Sequence, residues 1–144
     1  MSLKEKIATA FLALPARKND TGVSPVIIKF YGTLPRVDEM EVIVSFVGLT
    51  QGETYYVDTG IYYNGMPCHL SLDADGTLNK PKEFVALNEG FDKNSVPMIF
   101  NIPFDSVDIE SYGVHEISVK LFNSKNELLD DNSYYFDVVP GVSV

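Results

Sequence analysis

The sequence predicts an all-β chain, an antiparallel sandwich of about seven to eight strands behind a short N-terminal helix. Three observations predict it. From residue 25 onward apolar and polar residues alternate, the period of strands with one buried face. Turn-forming residues recur about every ten positions, the spacing of antiparallel sandwiches and barrels. Between two alternating runs stands Asn64-Gly65, a strong signal for a two-residue hairpin.

The N-terminal segment reads differently. Leu3, Ile7, Phe11 and Leu14 fall on one face at helical spacing, Ser2-Leu3-Lys4-Glu5 has the capping-box pattern, and Pro15 ends the run. Residues 1–18 are therefore expected to form an amphipathic helix and linker. A helix this short is not stable alone, so Leu3, Ile7, Phe11 and Leu14 form a candidate docking face against the same subunit or another. With 144 residues the rest makes one domain, over 25–139.

The strands follow in order. Val26–Gly32 is the first and Glu39–Gly48 the second, with Met40, Val42, Val44 and Phe46 on one face. Thr54–Tyr63 runs into Asn64-Gly65 and returns as Met66–Leu72. Lys82–Asn88 and Val96–Phe104 come next, with Pro81 and Pro103 marking strand ends or edges. Gly113–Phe122 and Leu128–Val139 form a hairpin around Asn123-Ser124-Lys125-Asn126, in which Ile117, Val119 and Leu121 share a face.

Residues 108–139 carry a resemblance. Gly113, His115, Ile117, Val119 and Leu121, then Tyr134, Phe136 and Val138, resemble the last two strands of immunoglobulin-like and fibronectin-III-like bacterial domains. The resemblance implies an Ig-like sandwich. His115 stands where that family usually has the corner tyrosine, and the disulfide and tryptophan of antibody domains are absent from the sequence. Fold alone implies no function.

Charge excludes more than it identifies. The chain carries a net −9, split into +4 over residues 1–36 and −13 over residues 37–144. An acidic body without a basic, aromatic-interleaved cluster repels phosphate backbones, so nucleic acid is set aside as a partner. No apolar run approaches the roughly 20 residues of a membrane span, and a cytoplasmic location is the expectation. The single cysteine, Cys68, cannot build a disulfide framework or a cysteine-based zinc cage.

Each candidate site stands or falls on what its chemistry requires. Asp73-Ala74-Asp75-Gly76 has part of a calcium-loop pattern but lacks the bidentate carboxylate at its end, so it reads as a turn. Asp105, Asp108 and Glu110 are weak calcium candidates on a loop; no metal or other cofactor is expected. Cys68 and His69, adjacent on a strand, point to opposite faces and cannot act as a nucleophile and base pair, and Cys68 meets His115 only if the fold brings them together. No catalytic residues are assigned. The tyrosine pairs are the most distinctive feature: in Tyr55-Tyr56, Tyr62-Tyr63 and Tyr134-Tyr135 one partner must face outward. Tyr55 or Tyr56, Tyr62 or Tyr63, and Tyr135 form a candidate binding face. The resulting expectation is a non-enzymatic interaction or assembly module, using an outer sheet face or edge strand against a protein partner or a second copy. The alternative is a small-ligand or carbohydrate-binding domain assisted by calcium, which requires a pocket of roughly 300–1,000 Å³.

Overall fold

A computed structural model describes residues 4–13, 27–30, 36–68 and 81–140. Among the described residues there are nine strands: β1 Lys6–Ala13, β2 Ile27–Phe30, β3 Arg36–Leu49, β4 Thr54–Tyr63, β5 Met66–Pro67, β6 Lys82–Val85, β7 Val96–Asp108, β8 Gly113–Asn123 and β9 Leu128–Pro140. They form two sheets, β1-β3-β7 and β2-β9-β8-β4-β5, with β6 also pairing β4. Pairing is antiparallel except between β2 and β9. β5 and β6 share one edge of β4, β5 beside Tyr62 and Tyr63 and β6 beside Thr54 to Val57.

Alternation builds the core. Val42, Val44 and Phe46 of β3, Tyr55, Val57 and Ile61 of β4, Ile117, Val119 and Leu121 of β8, and Phe136 and Val138 of β9 are all buried in one cluster that draws on both sheets. Removing that apolar area from water is the main stabilising term. Phe84 of β6 ties the layers together at one end, with ring centroids 5.4 Å from Phe46, 4.9 Å from Phe100 and 5.7 Å from Tyr55. The Asn64-Gly65 hairpin forms as expected: both residues take positive φ, 49° and 77°, and Tyr63 pairs with Met66. At the β8–β9 turn, Asn123 Oδ1 accepts from the amides of Lys125 and Glu127.

The expected N-terminal helix is not there; residues 6–13 are the edge strand β1. Its register against β3 slips between Ile7 and Thr9, leaving Ala8 as an extra residue. The bulge moves the inward set to Ile7, Ala10 and Leu12, all buried, with Phe11 half-buried on the other side. Of the expected helical face only Ile7 belongs to this inward set, and the change of phase at Ala8 hides the alternation of the strand. Leu3 and Leu14, the other two members of the expected docking face, lie outside the described residues. So do the loop at residues 73–76 and His69. No helix occurs among the described residues, and none is long and apolar enough to cross a membrane.

Two devices attach β1. Asp130 of β9 accepts from the Ile7 amide at 2.9 Å and lies 3.6 Å from Lys6 Nζ, so the far sheet closes over the free edge of β1. Ahead of the strand, the chain crosses β3 at Gly48, whose φ is +73° and whose missing Cβ would stand 1.4 Å from the Lys4 carbonyl oxygen. Only glycine fits both the backbone conformation and the crossing. On the opposite edge of that sheet, β7 carries Pro97 and Pro103, an even number of residues apart and therefore with nitrogens facing one side. Pro103 pairs with Glu41 inside the ladder, so that side is the open one, and both prolines delete donors from it.

Candidate functional site

The ladder between β4, β8 and β9 decides which tyrosines face outward. Tyr55 is 1% exposed and belongs to the core. Its hydroxyl donates to Glu5 Oε2 at 2.7 Å and accepts from the Thr50 amide at 2.9 Å. Burial above all pushes its pKa upward. Tyr63 has the same inward parity, and its ring lies 4.8 Å from that of His115. Tyr56, Tyr62 and Tyr135 remain for the outer face.

Register places these three precisely enough to describe the face they make. Tyr62 pairs with Glu116, which pairs in turn with Tyr135, so two rings flank one carboxylate. Adjacent strand spacing separates the tyrosine backbones by about 10 Å. The Ser133 hydroxyl donates to Glu116 Oε2 and fixes it. A Cβ on Gly60 would lie 2.9 Å from Tyr62 Cε2, so the Tyr62 ring rests flat along its own strand over the glycine. Tyr135 is 59% exposed. Toward the other end come the polar rows Gly60–Ser118–Ser133 and Asp58–Lys120–Asp131, then Tyr56 beside Phe122, whose ladder partner is the exposed Leu128. Gly60 and Glu116 were not singled out from the sequence; a glycine inside an alternating run was the available signal.

The outer face of the other sheet is less aromatic. Exposed Val47 and Ile99 border a hydroxyl pair, Thr9 Oγ1 and Ser45 Oγ, 2.6 Å apart.

At the His115 end of the fold lies a cavity of about 170 Å³, bounded by Tyr63, Cys68, Asp108, Glu110, Ser111 and His115 together with Met66 and Pro67. The fold thus brings Cys68 and His115 to one place, along with two of the three candidate carboxylates; only Glu110 is on a loop as expected, since β7 runs on through Asp105 to Asp108. The side chain of the third, Asp105, is not among those described. Cys68 is a free thiol whose pKa is raised, chiefly by burial and then by the Glu110 and Asp108 charges. His115 is 1% exposed and its pKa is lowered, again chiefly by burial. Both groups are therefore neutral near pH 7, the opposite of an activated thiolate and imidazolium pair. Among the described residues no three metal-ligating side chains converge.

The His115 ring is held on three sides. Nδ1 donates to the Gly113 carbonyl at 2.9 Å, and the ring lies between Tyr63 and Phe136, the latter stacked at 5.3 Å and 23°. Nε2 is buried without a hydrogen-bond partner. A second, shallower groove of about 540 Å³ runs between Tyr56, Pro81 and the β8–β9 turn residues Ser124, Lys125 and Asn126.

Comparison with protein-family models and with curated proteins found no match to this chain.

Proposed function

We propose that the chain is a non-enzymatic, cytoplasmic interaction module, an Ig-like sandwich whose outer β4-β8-β9 face binds a protein partner or a second copy of itself. The observation that carries this reading is the Tyr62–Glu116–Tyr135 row. It presents two aromatic surfaces around a fixed acceptor, one ring pre-positioned on Gly60 and the other standing in solvent. Tyrosine held this way offers contact area at low entropic cost, the property that enriches it at interfaces. Strand order supports the Ig-like part. β1-β3-β7 runs like strands A, B and E of such domains and β9-β8-β4-β5 like G, F, C and C′, with His115 at the start of β8 where the corner tyrosine would sit. The free thiol of Cys68 suits a reducing compartment.

The test uses sedimentation velocity over a wide concentration range, plus a photo-crosslinking residue at position 135 in source cells with position 87 as the exposed control. Concentration-dependent self-association, or a discrete adduct at 135 only, each lost in Tyr62→Ser, supports the reading. A monomer throughout, with no position-specific adduct, overturns it.

A further inference from the structure

The end cavity, separate from the tyrosine face, has a chemistry of its own. We propose that it is a binding site for a small organic ammonium group, held between the Glu110 carboxylate and the bare Nε2 of His115. A carbonyl oxygen can only accept, so Gly113 fixes the tautomer of His115 with the proton on Nδ1 and the lone pair on Nε2. The two flanking rings prevent the imidazole from turning to find a donor elsewhere. A buried acceptor without a partner is rare and costly, and a ligand that donates to it removes the cost.

The other polar groups of the wall say what the donor is. Asp108 and Glu110 also accept, and they bring negative charge to the same cavity. A group that bridges Nε2 and a carboxylate must donate more than one hydrogen and carry positive charge, as a primary ammonium does with three N–H groups. Tyr63 adds an aromatic face of the kind that attracts such cations. Glu110 is the primary carboxylate: it is the exposed one of the two, and its charge weighs on the Cys68 thiol of the cavity wall ahead of that of Asp108. The volume of about 170 Å³ resembles that of an apolar cavity known to admit benzene, so the group and its alkyl stem extend to about six non-hydrogen atoms. A free alkylamine and the end of a lysine side chain share this chemistry. Divalent metal is disfavoured, since no three ligating side chains converge among the described residues.

The experiment follows the His115 ring nitrogens by NMR in the full chain at about pH 8, where an alkylammonium keeps its charge. n-Propylammonium is titrated against n-propanol as the neutral control and against Nα-acetyl-lysine amide. A saturable shift of Nε2 with the amines alone, weakened about tenfold or more in Glu110→Gln, supports the proposal, because it reports loss of one charge-assisted contact. Glu110 is exposed, and a thermal melt confirms that the variant folds. Tighter binding of the lysine amide identifies a protein lysine as the source, and equal binding a free amine. No saturable shift, an equal response to n-propanol, or undiminished binding in Glu110→Gln overturns the proposal, as does Zn²⁺ displacing the amine at far lower concentration. Tyr62→Ser leaves the cavity intact, so this result and that of the outer-face test are independent.

Discussion

Replacing Gly48 by alanine should test the most crowded backbone crossing in the fold. Two costs combine there. An L-residue at φ +73° pays about 1–2 kcal/mol for the left-handed conformation. In addition, the new Cβ would stand 1.4 Å from Lys4 O and 2.6 Å from Lys4 C, an overlap with main chain that no rotamer relieves. The Lys4–Glu5 segment must lift, and with it go the 2.7 Å bonds from Tyr55 Oη to Glu5 and from Lys4 Nζ to Thr50 Oγ1. Losing the partly buried, charge-assisted Tyr55–Glu5 bond adds about 2 kcal/mol. Gly52 supplies the control, since its φ is +85° and a Cβ there meets nothing within 4 Å. Gly52→Ala should therefore cost only the conformational part. Urea unfolding followed by tyrosine fluorescence should place the Gly48→Ala midpoint about 1 M below that of Gly52→Ala, for an m-value of about 2 kcal/mol/M. Equal midpoints would refute the argument, showing that the chain before β1 does not cross β3 at Gly48.

Other outcomes follow from the same structure. Leu12→Ala should cost about 2–5 kcal/mol in chemical denaturation, because β1 turns this residue inward, whereas the helix first expected would turn it to solvent. Asp130→Ala should cost about 2 kcal/mol and speed hydrogen exchange at the Ile7 amide, which loses its acceptor. His115 has a folded pKa below its usual 6.5, so as pH falls through 6.5 the unfolded chain takes up the proton first. Stability should be complete above that pH and decline below it, and His115→Gln should flatten the decline in pH-dependent melts. Alkylation of Cys68 near pH 8 should run several-fold slower than in the unfolded chain and accelerate in Glu110→Gln, because burial and then the nearby carboxylates hold the thiol protonated.

Much of the fold was legible because alternation reports burial directly. β3, β4 and β8 each bury every second residue over long stretches, β9 does so only at Phe136 and Val138, and the Asn64-Gly65 turn is dictated by residues that tolerate positive φ. β1 was misread for a local reason. One inserted residue at Ala8 shifts the phase, and the phase is all that a short segment offers. In the two tyrosine pairs of β4, alternation established that one ring faces out but not which; Val57 and Ile61, buried on the side of Tyr55 and Tyr63, settle the choice. The cavity was illegible. Cys68 follows the β4–β5 hairpin whereas Glu110 and His115 flank the β7–β8 connection, and no spacing rule joins the two segments before β4 pairs with β8.

The Asp130 clasp on β1 also orders events in time. Its two partners are 123 positions apart, whereas β1 and β3 can pair once Leu49 has been made. Asp130 comes 81 residues after Leu49, so at about 5–20 residues per second the ribosome leaves the free edge of β1 without its clasp for roughly 4–16 s. During synthesis the nascent protein therefore exposes a strand that the finished molecule conceals, and that interval is when a chaperone or a neighbouring nascent chain has access to it.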